Sequence, residues 1–521
     1  MNASPDPTRI GLIIDGAEPP AWQVQLAGDL ARSADVRVYA VPSAQAPEDW
    51  ARLAEKVPAL RRNASGLEVQ RVTSARAALA ACRADDVDLV VDAGPTPASG
   101  PQRFRRGIWT LRQRDGRSVG APYAFLEEIA RRQADAAVFL VRDGRTALRV
   151  AHPQVARGRY AASLDRLLQV AACLPAAALQ GRDEAAHPWT PGVRPAALAP
   201  GVALAYAGLL QAVDQWRAWT VSESWMLGVI DKPIEEVCSA DLRHAVRWLG
   251  PREPSRYWAD PFGVPGDPGR LLCEEVVHDQ PTGVLKELTL DEGCGQVKAE
   301  RQVPMAVPGH LSYPFLFEHD GATWCIPESG AAGKVVIHRL EPATGAWQPA
   351  CTALDGVQAA DATLFRHGGL LWIAYSDARF GVHDSLCLAW AEHITGPWRR
   401  HPLNPVKIDA RSSRPAGTVF RRGGDLIRPG QDCSRTYGGA VALNRIEVCT
   451  PTEYRESTVE FIRPGAGTLN PHGVHTLSAW GERTLVDAKR EWVNPWVLRY
   501  KARKRLGLGP QPDARMAVRH E

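Results

Sequence analysis

The sequence predicts a multidomain chain: an α/β domain followed by an all-β domain that closes into a ring of sheets. Strand and helix patterns alternate through the first third. From about residue 223 the periodicity becomes strand-like throughout, with turn residues every eight to twelve positions. Within that region a two-strand segment recurs at intervals of roughly 47–59 residues.

The α/β part begins with "RIGLIID" (9–15), a continuous apolar run of the kind a strand buried on both faces requires. Helical spacing follows in "AWQVQLAGDLARSA", then a strand in "VRVYAV", and the alternation continues to "VDLVVDAG". Elements of these lengths imply a parallel sheet covered by helices, a Rossmann-like domain within residues 1–173. The turn after the first strand is "DGAEPPAW", with no GxGxxG, so no dinucleotide cofactor is expected. Residues 174–222 combine a Pro/Ala/Gly-rich connection with a helical stretch, "ALAYAGLLQAVDQWRAWT" (203–220).

In the all-β part, "WADPFGVPGDPGRLLCEEV", "YPFLFEHDGATWCIPESG", "DATLFRHGGLLWIAYSD", "RPAGTVFRRGGDLIRPGQD" and "GVHTLSAWGERTLVDAK" share one plan. Each opens on a polar residue or proline, continues with an apolar strand, turns, and ends in a second apolar strand with a polar exit. Five such units of about four strands make a five-bladed β-propeller over 223–492. "SWMLGVIDKPIEE" (224–236) is the strand expected to complete the last blade and close the ring.

A propeller brings the ends of its innermost strands to one funnel, and these are chemically mixed. Blade one contributes Asp260, with Glu274 and Glu275 at its exit. Blade two contributes His310 and Tyr313, with Glu328 at its exit. Blade three contributes Asp361 and, at its exit, Asp377. Blade four gives Arg414, Arg428, Gln431 and Asp432; blade five gives His472 and His475, then Asp487 and Lys489. Carboxylates beside arginines and histidines suit a sugar, including one that carries phosphate or carboxylate, because the planar arginine fork matches such oxyanions. Arg414 is expected to touch the ligand. Arg428 either does the same or braces its loop by pairing with Asp432 or another carboxylate.

Composition narrows the partners. A net charge of +4 over 521 residues gives no support for nucleic-acid binding. Ten scattered cysteines, with no CxxC and no zinc spacing, suggest reduced thiols in a cytoplasmic protein and no metal. No secretory signal is read at the N-terminus, and no apolar run reaches membrane-spanning length. The tail, 493–521, clusters Lys501, Arg503, Lys504 and Arg505 beside Trp496, Leu498 and Tyr500, a pattern compatible with peripheral contact to an anionic membrane.

Several motifs carry a family resemblance. "YWADPF", "HLSYPFLFEHDG…IPES", "DATLF", "GPWRRHPLNPV", "RPAG…RPGQDCSRTYGGAV" and "RIEVCTPTEYRE" resemble the five-bladed N-terminal domain of glucosamine inositolphosphorylceramide transferase. "DLVVDAG…RRGIWTLRQRDG…GAPYAFLEEI" resembles the formyltransferase fold, and bacterial proteins that join the two are similar over nearly the full length. The formyltransferase resemblance implies an Asn and a His after this strand. Residues 101–116 contain neither, which implies a catalytically silent relative. The propeller is also similar to arabinanase- and invertase-like glycosidases. That likeness implies Asp260 as base or nucleophile and Asp361 as a second carboxylate that orients. Where those enzymes place an acid in blade four, this chain has Arg414, which cannot protonate a leaving group. Glu328 is the substitute. An enzyme of glycan or glycolipid biosynthesis and a non-catalytic glycan- or nucleotide-sugar-binding module serving a partner glycosyltransferase both remain open, with active formyl transfer a third reading.

Overall fold

The computed structural model describes residues 8–43, 47–62, 66–97, 103–130, 136–155, 159–180, 186–192, 199–251, 253, 255–278, 280–305, 307, 309–465 and 467–507. The last part of the expected basic tail (508–521) and stretches of the expected linker (181–185 and 193–198) lie outside them. The chain divides into two compact units, Met1–Asp214 and Gln215–Glu521.

The first unit is built on one eight-stranded sheet. Arg9–Asp15 pairs in parallel with Asp35–Val41 on one side and Leu89–Asp92 on the other; Val69–Arg71 and Ile108–Gln113 extend the parallel run. Ile10, Leu12, Ile13 and Ile14 are all buried, which explains the unbroken apolar run. Beyond Ile108–Gln113 the sheet turns antiparallel through Val138–Arg142, Thr146–Ala151 and His187–Pro188. The expected all-parallel sheet is therefore a mixed one. The helix Tyr160–Gln180 is long and apolar enough to cross a membrane by length and composition. More than half of it is buried, including Leu164, Leu167 and Leu168, as suits a core helix.

The second unit is a five-bladed β-propeller. Among the described residues, blade one comprises Arg256–Gly263, Arg270–Val277, Gln280–Leu290 and Val297–Gln302. Blade two comprises Ser312–His319, Ala322–Glu328, Lys334–Glu341 and Ala346–Asp355. Blade three comprises Ala359–His367, Leu370–Asp377, Ser385–Ala391 and Arg399–Arg400, with Lys407–Ile408 also pairing to its third strand. Blade four comprises Phe420–Arg422, Asp425–Asp432, Ala440–Cys449 and Tyr454–Ile462. Blade five is composite: Leu477–Trp480 and Arg483–Val493 pair onward to Val221–Ile230 and Val246–Leu249, from the start of the unit. Of the segment 224–236 read as a closing strand, the part to Ile230 closes the ring, and Ile234–Glu236 forms a 3-10 turn.

Packing follows the same circuit, because a blade is apolar on both faces and buries each against a neighbour. Leu227, Val229 and Leu485 of blade five meet Trp258, Leu271 and Cys273 of blade one. Phe365 and Trp372 of blade three meet Leu426 and Ile446 of blade four. Ile427 and Leu443 of blade four meet Leu477 and Val486 of blade five.

The innermost strands share an irregularity that positions the site. In blade one the ladder slips between Ala259 and Phe262, in blade two between Ser312 and Phe315, and in blade three between Ala360 and Thr363. The residue at each slip is left-handed: Asp260 at φ 52°, Tyr313 at 43°, Asp361 at 52°. A bulge frees its residue from the ladder and re-aims the side chain, and aspartate tolerates this conformation better than most residues. A tyrosine there is strained and persists because both ends of it are held. Its hydroxyl pairs with Thr363 Oγ1 at 2.8 Å and accepts the Gly417 N–H at 2.6 Å, tying blade two to blades three and four.

Candidate functional site

Asp260 and Asp361 reach the ring's mouth from opposite bulges, and each is fastened by the exit carboxylate of the preceding blade. Asp487, leaving blade five, accepts the Asp260 backbone N–H at 2.9 Å. Glu328, leaving blade two, accepts the Asp361 backbone N–H at 2.9 Å. Ends of neighbouring blades are thus stitched together at the point where the functional side chains emerge.

On the blade five side, Asp487 Oδ1 accepts from His475 Nδ1 at 2.7 Å and from the His475 and Thr476 backbone at 3.1 and 2.9 Å. His475 Nε2 then lies 3.4 Å from Asp260 Oδ1, which also accepts from Thr476 Oγ1 at 2.8 Å. The result is a buried carboxylate–imidazole–carboxylate chain. Burial opposes the charge on His475, but Asp487 and Asp260 overcome it and raise its pKa. Burial pushes the Asp260 carboxyl up to about 6, with Asp487 and Asp361 adding to the rise and His475 opposing it. These three side chains are close enough to share a cation. Both Asp487 oxygens already accept hydrogen bonds, Oδ2 from the Asp260 N–H and Oδ1 from His475 and the Thr476 N–H.

On the blade three side, Arg414 grips Asp361 through Nε at 2.5 Å and Nη2 at 3.3 Å. Gln431 Nε2 donates to the same Oδ2 at 2.7 Å. Burial pushes the Asp361 carboxyl up to about 7, against the pull of Arg414 and with Glu328 adding to the rise. Arg414 also faces the Tyr437 ring at 5.1 Å and lies 3.8 Å from Glu328. Its charge is therefore committed to protein carboxylates.

Glu274, at the exit of blade one, completes the array. Its Oε1 lies 3.2 Å from His310 Nε2, while His310 Nδ1 accepts the Gly283 N–H at 2.8 Å. That acceptance fixes the tautomer: the proton sits on Nε2 and points at Glu274. Burial pushes Glu274 well above the usual carboxylate range, with Asp260, Glu328, Asp361 and Asp487 each adding to the rise. Burial lowers His310. Glu274 thus sits among carboxylates that all disfavour its charge, on the strand that pairs with the one carrying Asp260. Pairs pushed apart in this way serve as proton donor and acceptor.

Tyr437 stands in the middle. Its ring contacts Arg414, His475 at 5.2 Å, His383 at 5.5 Å and Trp225 at 6.0 Å, and Trp225 stacks on His475 at 3.9 Å. Burial raises Tyr437 well above the usual phenol, with Asp361, Asp260 and Glu328 adding to the rise and Arg414 opposing it. It stays neutral and offers an aromatic face. The sequence reading missed Tyr437, although it lies in the quoted "SRTYGGAV". It stands in the loop after the second strand of blade four, and the Gly-Gly that follows is the signal of a tight loop. Gly438, at φ 57°, would place a Cβ 2.6 Å from His475 Cβ.

Other expected contacts lie elsewhere. Arg428 is buried inside blade four, paired with Glu456 through Nε at 2.8 Å and Nη2 at 2.6 Å and donating to Ser412 O at 2.7 Å. It braces the blade, and its carboxylate partner is Glu456 rather than Asp432. Asp432 instead accepts from Ser434 N and Oγ, shaping the loop that carries Tyr437. Tyr313 is wholly buried with its hydroxyl consumed, so it organises the axis without meeting a ligand. His472 is exposed and accepts the Glu491 N–H at 3.0 Å, on the outer course of blade five. Asp377 caps its own turn at Arg379 N. Lys489 is buried against Glu223 and Thr436.

Residues 292–470 match the family described as "Glucosamine inositolphosphorylceramide transferase 1, N-terminal". The match contains Glu328, Asp361, Arg414 and Tyr437, while Asp260, Glu274, His475 and Asp487 flank it. A protein named glucosamine inositolphosphorylceramide transferase 1 from Oryza sativa subsp. indica is 31% identical over 237 residues, 43% of this chain and 32% of the relative. Its namesake from Arabidopsis thaliana is 31% identical over 217 residues, 40% of this chain and 28% of the relative. The chain thus spans about a third of the length of the curated relatives it matches. Among solved structures, an α-L-arabinofuranosidase from Lactobacillus brevis is 14% identical, with a TM-score of 0.34 over 50% of this chain and 91% of that one. The family 117 glycoside hydrolase Zg3597 from Zobellia galactanivorans is 13% identical, with a TM-score of 0.31 over 46% of this chain and 86% of that one.

Proposed function

We propose that the propeller mouth binds a sugar or glycoconjugate and moves a proton to or from it, in glycan or glycolipid biosynthesis. The observation that carries this reading is one buried carboxylate array in which Asp260 is pushed up to about 6 and Glu274 is raised well above the usual range, by burial and by Asp260 among others. Asp260 accepts the proton, and its charge is steadied by His475 and Asp487. Glu274 donates, in the part first assigned to Glu328, whose Oε2 is engaged by the Asp361 backbone. Asp361, clamped by Arg414 and Gln431, positions the surrounding charge. Five carboxylates face one arginine and three histidines here, of which burial lowers His310 and His383, so an uncharged or amino sugar fits better than a phosphorylated or acidic one. The matched plant proteins, named for a glucosamine-transferring activity on an inositolphosphorylceramide, agree with that class.

A second reading, a binding module serving a partner glycosyltransferase, is favoured by the number of site carboxylates already spent on backbone N–H groups. The N-terminal unit is read as a silent formyltransferase relative, because residues 101–116 contain neither Asn nor His. Calorimetric titration of the whole chain with glucose, glucosamine and glucose 6-phosphate tests the ligand class. Heat from glucosamine or glucose but not from the phosphate is expected; tightest binding of the phosphate, or none of any, overturns it. Glycoside turnover that Asp260→Asn abolishes selects the enzyme, and binding without turnover selects the module.

A further inference from the structure

The helix Pro200–Thr220 carries an apolar stripe left exposed among the described residues. Val202, Tyr206, Leu209, Val213, Trp216 and Trp219 follow each other at steps of four and three, so they share one face, and all six are exposed, Trp216 at 66% and Leu209 at 61%. The helix buries a different face, through Ala203, Ala207 and Leu210, about 100° around its axis. A soluble helix ordinarily turns its single apolar stripe inward; this one has a second, facing out. Six large apolar side chains in one row exceed the scattered exposure expected of a surface.

The C-terminal helix Pro495–Arg505 docks at the end of that stripe. Lys501 Nζ donates to the carbonyls of Ala218 and Trp219, and the Arg505 guanidinium faces the Trp219 ring at 5.8 Å. This second helix carries Arg499, Lys501, Arg503, Lys504 and Arg505 and no carboxylate, with Trp496 exposed on it. An apolar row ending in tryptophans beside a cluster of cations matches the layered chemistry of a bilayer surface, acyl chains below and anionic headgroups above.

We propose that the C-terminal end of this stripe, Trp216 and Trp219, and the helix Pro495–Arg505 form a docking surface for an anionic lipid bilayer, the tryptophans lying in the interface and Arg499, Lys504 and Arg505 meeting headgroup phosphates. This goes beyond the sugar-binding reading and does not depend on it.

Flotation of the whole chain with phosphatidylcholine vesicles, with and without about 30% phosphatidylglycerol, tests it. Binding is expected only with the anionic lipid, and is expected to fade at about 0.5 M salt. Lys504→Glu with Arg505→Glu, and separately Trp216→Ala with Trp219→Ala, should each weaken partitioning about ten-fold or more, since these exposed positions do not support the core. Equal binding to neutral vesicles, or insensitivity to both pairs of substitutions, overturns the proposal. A dimer in light scattering that the tryptophan pair dissociates, without vesicle binding, assigns the stripe to a second copy and also overturns it. Asp260→Asn should float as the unaltered chain does, so loss of sugar binding and loss of membrane binding are separately visible.

Discussion

Replacing Glu456 by Gln should cost the propeller about 3 kcal/mol at neutral pH, and that cost should shrink in acid. Both Glu456 oxygens are engaged: Oε1 by Arg428 Nη2 and Lys407 Nζ, Oε2 by Arg428 Nε and the Tyr454 hydroxyl. Burial alone would raise this carboxyl, but Arg428 and Lys407 reverse the effect and hold it down at about 2, against an ordinary 4.5. A folded pKa below the unfolded one adds stability above the unfolded value and loses it as the pH falls toward the folded value. That lowering corresponds to about 3 kcal/mol at pH 7 and about 1 kcal/mol at pH 3. Breaking a buried pair costs about 3–5 kcal/mol by general experience, which agrees. Urea unfolding followed by circular dichroism, for the unaltered chain, Glu456→Gln, Arg428→Met and the double variant, measures the cost at both pH values. The two single losses should overlap in the double variant, and the Glu456→Gln loss should be less than half as large at pH 3. A Glu456→Gln change within about 0.5 kcal/mol at pH 7, or one independent of pH, would refute the assignment of Arg428 as a brace.

Asp260→Asn should stabilise the fold above pH 6 while removing the proposed chemistry. Its folded pKa, about 6, lies above the ordinary 3.8, so ionising it in place weakens the fold as pH rises from 4 to 6. A gain on the order of 2 kcal/mol at pH 8, vanishing by pH 4, is what calorimetric melting should read. Tyr437→Ala should lower sugar affinity about ten-fold, and Tyr437→Phe should retain most of it, as titration calorimetry would show. Gly283→Ala should disable the site, because the added Cβ would sit 2.2 Å from Glu274 Oε1, 2.7 Å from His310 Cε1 and 2.9 Å from the Leu311 carbonyl oxygen; an unaltered pH profile would contradict the proton-donor role. Gly417→Ala should instead prevent folding, since at φ 114° its Cβ would lie 2.0 Å from the Leu477 carbonyl oxygen; a soluble variant melting within a few degrees of the unaltered chain would contradict this.

The blades were legible because each repeats the same alternation of apolar strand and turn, and because a two-residue period resists confusion with a helix. The closing strand at 224–236 was legible as an apolar run standing just ahead of the first repeat. Asp260 and Asp361 could be singled out as polar residues at the mouths of otherwise apolar strands. What each side chain faces was not legible. Arg414 and Arg428 share an Arg-Pro dipeptide on one hairpin, yet one meets Asp361 from another blade and the other Glu456, 28 residues on. Partners so distant are set by ring geometry, which no local pattern encodes. Tyr437 escaped because its place depends on a loop lying across the axis. The first unit's switch from parallel to antiparallel pairing escaped because strand propensity does not report direction.

Blade five takes two strands from the unit's beginning and two from its end, and the consequence is temporal. A nascent chain can stack four blades while its last pair of strands is still being made, but its ring stays open until residues 483–493 find 221–230. Asp487 and His475 arrive only then, so Asp260 spends synthesis without the groups that set its proton affinity. Such distant pairing is slow to form and, once formed, slow to undo. The axial array is therefore incomplete in unfinished molecules, and truncation within the final turn of chain should disrupt it while sparing most of the sheet.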